Sequence, residues 1–104
     1  MSLPFLSFMK YVARVEVTLK PGHLDPEGET TRIALVELKY PVESVRVSKV
    51  YEIVLNANSI DEARGLVEEM CRRLLANPVK DDYRYNVEEI SLDEAALYKE
   101  GLTV

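Results

Sequence analysis

The segment from Val45 to Leu55 constrains this chain more than any other. Its odd positions read Val45, Val47, Lys49, Tyr51, Ile53 and Leu55, apolar throughout except for Lys49. Period-two alternation of that kind marks a strand with one buried face. A tight hairpin turning at Ser48-Lys49 is the competing reading. It mixes both faces, sets Val45 opposite Glu52, and lacks the Gly or Asn that two-residue turns favour. One long strand, bent near Ser48, is therefore the expectation. Its eleven residues extend roughly 36 Å at about 3.3 Å each, more than two short helices can cover. Part of its apolar face is then expected to lie against a second copy of the chain.

The flanking segments build the rest of the pattern. From Tyr11 to Leu19 the odd positions are Tyr11, Ala13, Val15, Val17 and Leu19, with Arg14, Glu16 and Thr18 between them. This is a half-buried strand, ended by Lys20-Pro21-Gly22. Asp25 can cap a helix, Pro26 suits its first position, and Glu27 and Glu29 favour its positive end. That helix is expected to run to about Lys39, with Ile33, Ala34, Leu35 and Leu38 available for packing, and to stop at Tyr40-Pro41. Ser59 and Glu62 form a capping box. Behind them Ala63, Leu66, Val67, Met70, Cys71, Leu74 and Leu75 repeat at helical spacing, with Glu68 and Glu69 placed four residues before Arg72 and Arg73 on the solvent side. Ala76-Asn77-Pro78 ends this helix. A last strand sets Tyr83, Tyr85 and Val87 on one face, and Ser91 with Glu94 opens a possible short helix in the tail.

The order strand, helix, strand, helix, strand predicts an α+β two-layer sandwich whose long middle strand is shared across a dimer, with a ferredoxin-like arrangement as the alternative. Residues 1–9 read as an N-terminal extension, 10–90 as the domain and 91–104 as a C-terminal tail. The 104 residues suit a single core. A net charge of -5 without any dense basic run argues against nucleic acid and against an anionic membrane surface. No apolar run approaches the ~20 residues of a membrane span. The single Cys71 excludes an internal disulfide and a Cys-only zinc site, which fits a cytoplasmic protein.

Catalytic chemistry finds little to work with. His23 lies in a Pro/Gly loop beside Asp25, with no Ser or Cys nucleophile near it in sequence. Cys71 sits on an apolar helix stripe, where a thiol behaves as a small hydrophobe. Asp25, Glu27 and Glu29 are accounted for by helix capping, and Asp81 with Asp82 by a turn. No Gly-rich phosphate loop, HExxH or GxSxG pattern is present. Arg46 and Lys49 are different: they are charges on a strand of mostly apolar neighbours, open either to a function or to simple snorkelling.

Several of these runs, in this order, resemble motifs of the PurS family. They are Leu19-Lys20-Pro21, Asp25-Pro26-Glu27-Gly28, Val45-Arg46-Val47-Ser48-Lys49, the stretch Met70 to Val79, and Asp81-Asp82-Tyr83. The resemblance extends from about Lys10 to Glu89. Ser48 stands where the family usually has Gly, Lys80 stands where an apolar residue is common, and neither terminal segment belongs to the shared pattern.

The resemblance implies a non-catalytic bridging subunit of phosphoribosylformylglycinamidine synthase, an ATP-dependent, glutamine-using carbon–nitrogen ligase of purine biosynthesis. It implies a homodimer, with a tetramer as the alternative, that links a glutaminase subunit to a large synthetase subunit. No cofactor is expected in this chain; ATP and magnesium belong to the large subunit. Arg46, Lys49, Asn77 and Pro78 are the expected partner contacts. The competing class is a small-molecule-sensing regulatory module of the ACT or ferredoxin-like kind, which shares the order of elements.

Overall fold

The computed structural model describes residues 9–101. Strand β1 runs Met9–Leu19, helix α1 Pro26–Glu37, β2 Lys49–Ala57, α2 Ile60–Met70, β3 Asp81–Ile90 and α3 Leu92–Gly101. The three strands form one antiparallel sheet in the order β2-β1-β3. Helix α2 and the single wide turn that continues it, Cys71–Leu75, cover one face. The result is an α+β domain compatible with a ferredoxin-like sandwich. Of the proposed N-terminal extension only Met9 falls within the described residues, and it opens β1.

The alternation read from the sequence is what buries the core. Tyr11, Ala13, Val15 and Val17 of β1 meet Leu55 and Ala57 of β2, Val87 of β3, and Ala63, Val67 and Cys71 beneath them. On the opposite face the strands exchange charges in register. Arg14 pairs with Glu52 across β1 and β2 at 3.2 Å, and Glu16 with Arg84 across β1 and β3 at 2.7 Å. At the Met9 end that face turns apolar. There α3 folds back on β1 directly after Ser91, capped by the Ser91 hydroxyl, which accepts from the Glu94 N–H at 3.1 Å. Beneath it Val12 is only 8% exposed.

Two expectations need correction. The strand expected over Val45 to Leu55 occupies Lys49–Ala57 instead. The reason lies in its neighbour: β1 pairs with β2 from Met9↔Ala57 to Val17↔Lys49. Continuing that register would set Val45 against Pro21, which has no N–H to offer, while Gly22 at φ +89° already turns the chain away. Val47, which the same register would set against Leu19, donates its N–H to Asp25 at 2.9 Å instead, and residues 45–48 carry no ladder pairing.

The second correction concerns α1. Its Ile33, Ala34 and Leu38 enter no core among the described residues; all three are exposed, and Leu35 is only half-buried. Helix α1 makes no substantial contact with the sheet or with α2. It projects, and the molecule measures 64 × 32 × 19 Å with a radius of gyration of 18.1 Å, where a compact chain of this length would have about 13 Å. Amphipathic spacing reports that a helix has an apolar side. It does not report whose core that side enters.

Candidate functional site

The residues singled out from sequence lie at one end of the sheet, where β1 stops. Asp25 caps α1, its Oδ1 accepting from the Gly28 N–H at 2.9 Å. Its other oxygen, Oδ2, accepts from the Val47 N–H at 2.9 Å. These two backbone donors, with the Arg46 charge nearby, hold the Asp25 carboxyl below the usual aspartate range. Arg46 donates to the Leu19 carbonyl, on the side of β1 that β2 no longer reaches. Lys49 opens β2 exposed and shares a shallow depression with Asp25, Val47, Lys80 and Asp81.

Asn77 and Pro78 lie across the same end, in the turn that leads into β3. The Asn77 side-chain oxygen accepts from the N–H groups of Val79 (2.8 Å) and Lys80 (3.2 Å), and Asp81 accepts from the Asn77 N–H at 2.8 Å. Asn77 therefore shapes the turn, while Pro78 is exposed on it. Asp82 is engaged by Lys20 at 2.7 Å. The structure thus gathers Arg46, Lys49, Asn77 and Pro78 around one end of the sheet, with two of them occupied in holding that end together.

One cluster escaped the sequence reading. Glu68 does not simply face solvent beside Arg72, although the two approach to 3.5 Å. Its carboxylate accepts from the hydroxyls of Tyr83 and of Tyr85, the latter at 2.8 Å. The two phenols hold Glu68 below the ordinary glutamate range, and Glu68 in turn raises both tyrosines. A glutamate and two tyrosines fifteen and seventeen residues apart carry no local signal; only the packing of α2 over β3 joins them.

No reactive constellation emerges among the described residues. Cys71 is fully buried, and burial, with the Glu68 charge, pushes its thiol up, away from the reactive thiolate. His23 is exposed in its loop. Among the described residues no group of three or more His, Cys, Asp or Glu side chains converges as a metal site requires. What the end of the sheet offers is hydrogen-bonded backbone geometry, with Leu24 and Val79 exposed beside it.

Comparison with known families settles the kinship. The PurS family profile, described as phosphoribosylformylglycinamidine (FGAM) synthase, matches residues 12–89. The chain belongs to the PurS family. The phosphoribosylformylglycinamidine synthase subunit PurS of Bacillus subtilis (strain 168) is 43% identical over 81 residues, 77% of this chain and 95% of that protein. The crystal structure of Methanocaldococcus jannaschii PurS, one of the subunits of formylglycinamide ribonucleotide amidotransferase, superposes with a TM-score of 0.70. It is 41% identical and covers 78% of this chain and 99% of its own. A chain of the PurLQS structure from Thermotoga maritima superposes with a TM-score of 0.67 at 30% identity, over 78% of this chain and 98% of that one. Helix α3 follows the family match and is an addition to it. Asp25, Gly28, Arg46 and Val47, by contrast, all fall inside it.

Proposed function

We propose that this chain is the bridging subunit of a phosphoribosylformylglycinamidine synthase. It links a glutaminase subunit to an ATP-dependent synthetase subunit, for conversion of formylglycinamide ribonucleotide to formylglycinamidine ribonucleotide in purine biosynthesis. The observation that carries the reading is the PurS match over residues 12–89, beside which the superposition takes in 98% of the T. maritima PurLQS chain. ATP and magnesium are assigned to the large subunit, and the assembly to the cytoplasm. No helix of the described residues is long and apolar enough to cross a membrane.

A homodimer is part of the proposal, with pairing of dimers the alternative. Helix α1 exposes Ile33, Val36 and Leu38, followed by Tyr40. A groove between β2 and α2, lined by Ile53, Leu66, Met70, Leu74 and Leu75, is likewise uncovered, with Leu74 82% exposed. Two bare apolar surfaces on so small a domain are surfaces that water disfavours and a second copy would cover. Arg46, Lys49, Asn77 and Pro78 remain the proposed contacts with the larger subunits. All four are exposed, and Arg46 and Asn77 also bond backbone groups at this end of the sheet. The small-molecule-sensing reading loses its ground once the family match is in place.

The test is reconstitution. Synthetase and glutaminase subunits mixed without this chain should turn over glutamine-dependent substrate poorly, because ammonia escapes between unlinked sites. Adding this protein should restore that turnover at a saturable stoichiometry, and should change turnover on ammonium salt far less. Full glutamine-dependent activity in its absence would sink the reading. So would turnover by this chain alone.

A further inference from the structure

Helix α1 leaves the sheet without packing support, so something else must set its direction. The two ends of this excursion meet at its root. One carboxylate, that of Asp25, accepts from Gly28 at the start of α1 and from Val47 on the returning chain, each at 2.9 Å. Gly28 is buried against that returning chain. A Cβ there would collide with the Val45 carbonyl oxygen and would lie 2.8 Å from Asp25 Oδ2. Arg46 then fastens the returning chain to the Leu19 carbonyl at the end of β1.

The geometry points to a latch: Asp25 and the bare Gly28 backbone fix the direction in which α1 leaves the sheet, and thereby where its apolar side meets a second copy of this chain. The second half rests on the homodimer reading above; the first half does not. Helix capping alone leaves two features unexplained. A cap needs one acceptor oxygen, yet Asp25 uses both, and the second bond crosses twenty-two residues. Nor does capping call for Gly at position 28, since inside a helix Gly is a poor choice relative to Ala. Close approach of the returning backbone accounts for both features.

Two substitutions separate the latch from the helix. Asp25→Asn keeps a good cap, because Asn and Asp rank alike at that position. It replaces one acceptor oxygen with an amide donor, however, so one of the two N–H groups then faces another donor. Gly28→Ala improves helix propensity while wedging the latch open. Nitroxide labels at Glu37→Cys and Asn86→Cys, in protein diluted with unlabelled chain, would report the distance from the end of α1 to the sheet. The native Cys71 is buried and does not compete. The unaltered latch should give one narrow distance distribution, and both variants a broad or shifted one. Their self-association should weaken by about tenfold or more, roughly 1.4 kcal/mol, while hydrogen exchange of the β1 amides stays protected.

Distances that remain narrow in both variants would overturn the latch, whatever the oligomeric state. Broadened distances with unchanged self-association would overturn its role in assembly. Loss of β1 protection in both variants would reduce Asp25 and Gly28 to ordinary stability residues, which also overturns it. A wild-type chain that sediments as a monomer would fail the homodimer reading, and with it the assembly half of the inference, while the label distances still decide the latch.

Discussion

Asp25, Glu68 and Cys71 show how little a residue's identity says about its duty until its neighbours are known. Glu68 carries a clear pH prediction. Its folded carboxyl lies below the ordinary glutamate range because Tyr83 and Tyr85 donate to it and Arg72 stands nearby. Its contribution to stability is therefore complete above that range and is lost as pH falls through the lower folded value. The two tyrosines are raised, so theirs is complete below the ordinary phenol range and is lost as pH climbs through the raised values. In thermal melts from about pH 7 to about pH 3, Glu68→Gln should flatten the acid-side loss of Tm. An acid limb as steep as wild type would contradict the assignment. Cys71, fully buried against α2's neighbours, should cost about 1–2 kcal/mol on replacement by Ala, the penalty of a small cavity. Complex formation should be untouched, as urea unfolding and co-sedimentation with the larger subunits would show.

At the scale of elements, the ends of α1 and α2 follow local chemistry closely. Ser59 accepts from the Glu62 N–H at 3.1 Å, as the capping box requires, although Glu62 reaches back to the Asn58 N–H at 2.9 Å rather than to Ser59. Helix α1 ends with Lys39 at φ 75°, and the N–H groups of Lys39 and Tyr40 return to Val36 and Leu35. That closure places an L-residue where Gly is favoured. Lys39→Gly should therefore stabilise the protein by about 1 kcal/mol, read as a higher midpoint in urea; a lower midpoint would refute it. Helix α2 and strand β3 were legible because their apolar residues repeat with the period of the element, and Ala63, Val67, Cys71 and Val87 find their partners within this chain. Strand β2 was legible as a strand but displaced at its start, because the Val47 N–H goes to Asp25, remote in the chain, rather than to β1.

For the whole molecule the decisive fact is an unbalanced surface. The sheet has α2 on one face and α3 over one end of the other, while α1 and the groove at Ile53, Leu66 and Leu74 lie bare. Sedimentation equilibrium at micromolar concentration should return at least twice the chain mass, and a clean monomer would refute the homodimer. Association should be nearly insensitive to moderate salt if these apolar surfaces dominate it, since screening acts on charges. A dimer that dissociates in moderate salt would assign the contact to the ion pairs of the open sheet face instead.

The sequence by itself determined the class of the fold, the identity of its strands and helices, the burial of Cys71 and the kinship that names its family. Each of these depends on periodicity or on contiguous motifs, and both survive in one dimension. Only the tertiary structure decided that β2 begins at Lys49, that Glu68 belongs to two tyrosines, and that Asp25 reaches Val47 rather than merely capping a helix. The reason is common to all three. They are set by the distance between segments remote in the chain, and no run of neighbouring residues encodes a distance across the fold.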